Sequence, residues 1–201
     1  MNPQPYPNTF PQADSLYYHI AKNALEKAQK DTNNFEKAQS VVTAMVFASL
    51  CLEAFINQEY ERLSETKEIY EDVERLSLET KWLLLPRLLG TGGTFDTGAE
   101  PFQTFKELIK VRNQRLVHFK YGKEAYSTHD TRSKDKPRYD ELVGDIERAK
   151  RYVECIVQMI DKLNEITSGK TRASQLLTDS KYLGEGRDFL RGYFAMKLPE
   201  K

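Results

Sequence analysis

Val41-Val42-Thr43-Ala44-Met45-Val46-Phe47-Ala48-Ser49-Leu50-Cys51-Leu52-Glu53-Ala54-Phe55-Ile56 is the stretch whose reading decides the fold. Apolar residues fall on almost every side of a helical wheel over this run. That pattern predicts a central helix buried nearly all round. The helix extends from about Phe35 to Leu63, with Asn33 or Asn34 able to cap its start. One residue breaks the run. Glu53 lies between Leu52 and Ala54, and a carboxylate in such surroundings calls for a cation or for water at the helix edge. The distal end, Asn57 to Glu61, reads as polar and solvated.

The flanking segments also carry helical spacing. A first helix is predicted from about Ala13 to Lys30, with Leu16, Ile20, Ala24, Leu25 and Ala28 towards the core. Another spans about Glu65 to Leu76, and Ser77 starts a further one through Trp82 and Leu85 that Pro86 kinks or ends. A helix from Pro101 to about Lys120 follows and is closed by Tyr121-Gly122. A long one from roughly Arg138 to Ile166 turns Leu142, Ile146, Ala149, Val153, Ile156, Val157, Ile160 and Leu163 inward, and Ser168-Gly169 ends it. No segment alternates with period two, so an all-α bundle of four to six helices is expected.

At 201 residues the chain suits one domain rather than two. Residues 1–12, with Pro3, Pro5, Pro7 and Pro11, read as an extended arm, 13–168 as the helical domain, and 169–201 as a tail. The tail's Leu176, Leu177, Phe189, Leu190, Tyr193, Phe194 and Met196 suit folding back on the bundle or docking on another chain. No run approaches the roughly 20 apolar residues of a membrane span, and the proline-rich start lacks the features of a secretory signal. Cys51 and Cys155 both sit in apolar helical patterns, which suits packing in a reducing compartment. A cytoplasmic protein with no membrane partner is expected.

The formal net charge is +0, but its distribution is uneven. Pro101 to Arg138 holds ten Lys/Arg against four acids, whereas Glu53 to Glu79 holds nine acids against three basic residues. A local basic surface of this kind attracts phosphate even on a neutral protein; ordinary solvated helix faces would produce the same count.

Within the basic region, Val111-Arg112-Asn113-Gln114-Arg115-Leu116-Val117-His118-Phe119 places an arginine where the helical pattern asks for a hydrophobe. At about 100° per residue, Phe105, Leu108, Ile109, Leu116 and Phe119 fall within roughly 60° of Arg112. A guanidinium there must be paired or used, and Glu53 is its natural partner. Arg115 and His118 occupy the adjoining strip. Histidine moves protons near neutral pH and arginine suits a phosphate gaining charge. Together they can cleave RNA without metal or other cofactor, the imidazole deprotonating a 2′-hydroxyl that attacks the adjacent phosphorus; DNA lacks that hydroxyl. On a straight helix Arg112 and His118 lie about 9 Å apart along the axis and roughly 120° around it. Either the helix ends before His118, or a second chain supplies the missing groups.

Other candidates are weaker. There is no Cys/His spacing for zinc, no acidic cluster for a two-metal nuclease and no serine elbow. Gly90-Thr91-Gly92-Gly93-Thr94-Phe95-Asp96-Thr97-Gly98 lacks the Gly-Lys-Ser/Thr ending of a phosphate loop and reads as a flexible connection. His19 reads as a surface or half-buried residue, and His129 as part of an exposed loop from Lys123 to Pro137.

The run Arg112-Asn113-x4-His118 resembles the R-x4–6-H motif of HEPN domains. The segment Pro101 to Asn113 looks like the helix that carries that motif, and Phe47-Ala48-Ser49-Leu50-Cys51-Leu52-Glu53-Ala54-Phe55-Ile56-Asn57 looks like the family's acid-bearing central helix. The resemblance covers about Asp14 to Ile166. It implies a helical bundle that forms a homodimer with two motifs facing one cleft. Many such proteins are metal-independent endoribonucleases in toxin–antitoxin, phage-defence or RNA-processing systems. By position Arg112 would stabilise the phosphate, His118 would act as general base or acid, and Asn113 would orient one of them. Glu53, Arg115, Lys110 and Lys120 are the supporting or RNA-contacting candidates. The 201 residues leave no room for the nucleotidyltransferase or helicase domain that can accompany this family, so an antitoxin or regulatory partner is expected to be a separate chain.

Three readings follow: a ribonuclease, a non-catalytic helical module binding a protein or nucleotide, and a bundle in which Arg112 and Glu53 are simply a buried pair.

Overall fold

A computed structural model describes residues 13–63, 73–117 and 145–168 of the 201-residue chain. These residues form five α-helices: α1 (Ala13–Lys30), α2 (Asn34–Leu63), α3 (Leu78–Leu88), α4 (Phe102–Val111) and α5 (Ile146–Ile166). A π-helical turn, Arg112–Val117, continues α4. No strand occurs among the described residues, and the fold is an all-α bundle.

α1 and α2 form a helical hairpin joined by three residues. Asn33 makes the turn, its side chain accepting from the Phe35 N–H at 2.9 Å. Ser40 on α2 donates to Asp31 at 3.3 Å and ties the two helices beside that turn. α5 packs against both, α4 packs on α5 and α2, and α3 leans on α2. α2 is therefore central, as its sequence predicts. It is not buried all round, however. Val41, Ala44, Met45, Ala48, Cys51, Leu52, Phe55 and Ile56 are buried, while Val42, Val46, Phe47 and Leu50 form a half-buried flank. α2 also holds an 18-residue window of mean hydropathy 1.7, long and apolar enough to cross a membrane. The expectation that no run approaches a span understated it. Over half of that window is buried against the other helices, which accounts for its composition.

Three aromatic side chains pack on Trp82 in the core, and a fourth packs on two of them. Trp82 stacks on Phe55 of α2, meets Phe95 edge-on and lies tilted against Phe105, with ring centres 5.9 Å apart in each case. Phe102 contacts both Phe95 and Phe105. Offset and edge-on ring contacts of this kind add to the burial of large apolar area. They fasten α3, α4 and the loop between them to α2, so the glycine-rich segment is anchored at Phe95 rather than free.

Several boundaries differ from expectation. α3 runs through Pro86 to Leu88. The proline sits in the last turn, where its missing N–H removes a single bond, and the Pro86 carbonyl still accepts from Thr91 Oγ1 at 3.0 Å. Gly90 then ends the helix at φ 66°. In α1 the buried stripe passes through Ala21, Leu25 and Ala28, with Leu16 and Ile20 only half-buried. α5 is described from Ile146, where Asp145 caps it by accepting from the Arg148 N–H at 2.9 Å; residues 138–144 of the expected helix lie outside the described residues. At its other end Thr167 caps the helix and Ser168 takes φ 52°.

The end of Asn57–Glu61 expected to be solvated is largely covered, with Glu59 at 0% and Tyr60 at 2% exposure. Residues 65–72 of the helix expected over Glu65–Leu76 lie outside the described residues. So do Leu142, His118, Lys120, His129, the proline arm and the tail.

Candidate functional site

α4 is strongly two-faced. Phe102, Phe105, Leu108 and Ile109 are buried, and the next position on that stripe is Arg112. Here the helix stops being α-helical. The Arg112 N–H still reaches the carbonyls of Leu108 and Ile109, after which the turn widens to the i→i+5 pattern. Neither glycine nor proline occurs between Phe102 and Val117, so no helix breaker forces the change. Wheel positions calculated at about 100° per residue therefore fail along Arg112–Val117, including that of Leu116.

The structure pairs Arg112 with Glu53. Arg112 Nη1 stands 2.7 Å from Glu53 Oε2, with the two side chains 20% and 35% exposed. The contact lies at the rim of the bundle, where α2 meets the π-helical turn. The N–H does not aim well at the carboxylate, since Glu53 Oε2 is covered yet has no hydrogen-bond donor among the described residues. The attraction is mainly one of charge, and a guanidinium held this way keeps donors for another ligand.

One residue within the electrostatic reach of Glu53 was passed over by sequence reasoning. Lys81 on α3 is 4% exposed and donates from Nζ to Asn57 Oδ1 at 2.8 Å. Its backbone carbonyl accepts from the Tyr60 hydroxyl at 2.9 Å. Burial lowers the proton affinity of Lys81, and the carboxylates of Glu53 and Glu74 oppose that shift. Glu53, Asn57 and Tyr60 occupy positions i, i+4 and i+7 of α2, hence one face. A polar track thus runs down α2 from Arg112 to Lys81. The signal was in the sequence: Leu78, Lys81 and Leu85 share the spacing of an apolar stripe.

Lys110 and Asn113 have different surroundings. With Gln103, Lys106, Glu107, Ile109, Gln114 and Glu79 they line an open depression of about 490 Å³ on the outside of α4. The structure brings Arg112 to Glu53, and Lys110 to Asn113, as two distinct groupings. The outer face is not purely basic. Glu107 receives Arg151 Nη2 at 3.1 Å and Arg148 Nε at 3.6 Å, and it presses on Tyr152, whose hydroxyl proton is held by burial first and by Glu107 second. The side chain of Arg115 lies outside the described residues.

His19 is half-buried, and burial followed by the nearby Lys22 lowers its proton affinity. Both cysteines are free and buried. Among the described residues no cluster of His, Cys, Asp and Glu could hold a metal ion.

No family model, curated protein or solved structure matches the chain.

Proposed function

We propose that the protein is a metal-independent endoribonuclease of HEPN type. The observation that carries this reading is the Arg112–Glu53 contact at 2.7 Å, on the rim of the bundle and still partly open to solvent. An arginine held beside a carboxylate, but not sealed by it, is suited to a phosphate that gains charge. Six positions later in the sequence stands His118, a proton carrier at neutral pH.

The chemistry assigned to them balances without a metal. The His118 imidazole takes the proton of a ribose 2′-hydroxyl, and the oxygen attacks the adjacent phosphorus. Arg112 offsets the negative charge growing on the non-bridging oxygens. The bond to the 5′-oxygen breaks, and that oxygen leaves with a proton from a second acid. The products are a 2′,3′-cyclic phosphate and a 5′-hydroxyl. Two proton-transfer groups are needed, and a homodimer with two motifs in one cleft supplies both. The half-buried flank of α2 supports such an assembly, because Val46 and Leu50 lie on the same face as Glu53. A separate antitoxin or regulatory chain, in a toxin–antitoxin or phage-defence setting, fits a nuclease of this kind.

The test is cleavage of RNA by purified protein in the presence of EDTA. Wild type should cut, and folded His118→Ala should not; equal cutting by the two sinks the proposal.

A second reading, a non-catalytic module that binds a protein, draws on an apolar groove between α1 and α5 lined by Tyr18, Leu25, Val153 and Val157. It expects no RNA cleavage by the wild type.

A further inference from the structure

We infer that Lys81 is a positioning residue that keeps Arg112 available to a phosphodiester by sharing the charge of Glu53. The inference rests on the reading of Arg112 as the phosphate-binding group.

A buried ammonium with an amide oxygen as its partner lacks a countercharge. Lys81 has that amide in Asn57, 2.8 Å from its Nζ. Glu53 lies one turn back from Asn57 on the same face of α2, and its carboxylate favours the charged form of the ammonium. Glu53 thus stands between two cations: Arg112 in direct contact, and Lys81 across one turn of α2. Glu74, the other carboxylate acting on Lys81, is exposed and more strongly screened by water.

Two cations sharing one carboxylate leave an excess of positive charge. Lys81 cannot present it, being 4% exposed and tied to α2 by two bonds, from its own ammonium to Asn57 and from Tyr60 to its carbonyl. Arg112, with its side chain 20% exposed, can. The excess is therefore offered to solvent at the guanidinium, where a polyanion would meet it. Without the ammonium, Glu53 neutralises Arg112 alone and the attraction for phosphate weakens.

A simpler role for Lys81 is to clamp α3 to α2 through Asn57. The two roles separate in Lys81→Gln, which keeps a donor for Asn57 but removes the charge, with Lys81→Met as a second variant. The probe is a short 2′-O-methyl oligoribonucleotide, which cannot be cleaved, with binding read by fluorescence anisotropy at low salt. Helicity and thermal unfolding are measured alongside. Folded Lys81→Gln is expected to bind about fivefold more weakly than wild type. In a Glu53→Gln background the same substitution should change affinity by less than about twofold, because no carboxylate is left for Lys81 to hold back from closing on Arg112. Wild-type affinity in Lys81→Gln and Lys81→Met, or an equal loss in both backgrounds, overturns the inference. A wild type that binds no oligoribonucleotide overturns the reading of Arg112 and the inference with it. Binding without cleavage of unmodified RNA removes the nuclease proposal and leaves the inference standing.

Discussion

Arg112 Nη1 and Glu53 Oε2 meet at 2.7 Å, joining the end of α4 to the centre of α2, with both side chains reaching solvent. Partial exposure limits what the pair adds to stability, because water screens the attraction. A double-mutant cycle on Arg112→Ala and Glu53→Ala, followed by denaturant unfolding, should give a coupling on the order of 1 kcal/mol or less. Cleavage of RNA by Arg112→Ala should nevertheless fall by about a hundredfold or more. A large loss of stability with cleavage intact would make the pair a structural clamp.

Trp82 is the deepest anchor of the bundle, with 0% exposure and three ring neighbours. Trp82→Ala should cost about 3–5 kcal/mol, lowering Tm by on the order of 10 °C. Its Nε1 makes no hydrogen bond among the described residues. Trp82→Phe therefore forfeits area alone and should cost less than half as much in the same calorimetric scan.

Gly93 passes so close to α5 that a Cβ there would lie 2.5 Å from Ile166 Cγ2 and 3.1 Å from the Ile166 carbonyl oxygen. Gly93→Ala must push the loop off the end of α5 and should destabilise by about 1–3 kcal/mol. At Gly98 the nearest atom, Asp96 Oδ1, would be 3.3 Å away, so Gly98→Ala should be milder. Urea midpoints of the two variants, compared with wild type, check the ordering.

Burial, with Glu100 adding to it, raises the Cys155 thiol to about 12, and burial next to Asp14 raises Cys51 well above its ordinary value of 9.0. Both thiols remain protonated in the folded chain while those of the unfolded chain ionise near pH 9. Their stabilising contribution is complete below that pH and is lost as the pH rises from about 9 towards 12. Tm should fall across this window, and less steeply in Cys155→Ala. At pH 8 neither thiol should react with a disulfide reagent until denaturant is added; rapid labelling of the native protein would contradict their burial.

Much of the fold was legible because its helices obey simple spacing. α1 and α2 match their predicted spans within a residue, since each carries an apolar stripe and a capping turn follows α1. Pro86 misled because its position in the last turn, not its identity, decides whether a helix stops. Lys81 and Glu59 were missed for another reason. Charged residues are expected at the surface; only a tertiary contact reveals that Asn57 covers Lys81, while Glu59 is buried beside Arg62, its partner at 2.8 Å three positions on in the same helix. The Arg112–Glu53 contact was legible because both residues interrupt apolar stripes and carry opposite charges. The π-helical turn was not, since nothing in Arg112–Val117 departs from ordinary helix-forming composition.

The measurement that bears most directly on the proposed chemistry uses one RNA oligonucleotide in two forms, unmodified and with a single 2′-deoxyribose at the mapped cleavage position, incubated with the protein in EDTA. Attack by the 2′-oxygen predicts cutting of the unmodified strand to a 2′,3′-cyclic phosphate, no cutting at the deoxy position, and loss of both cutting and product in His118→Ala. Cleavage at the deoxy position, or undiminished cleavage by His118→Ala, would contradict it.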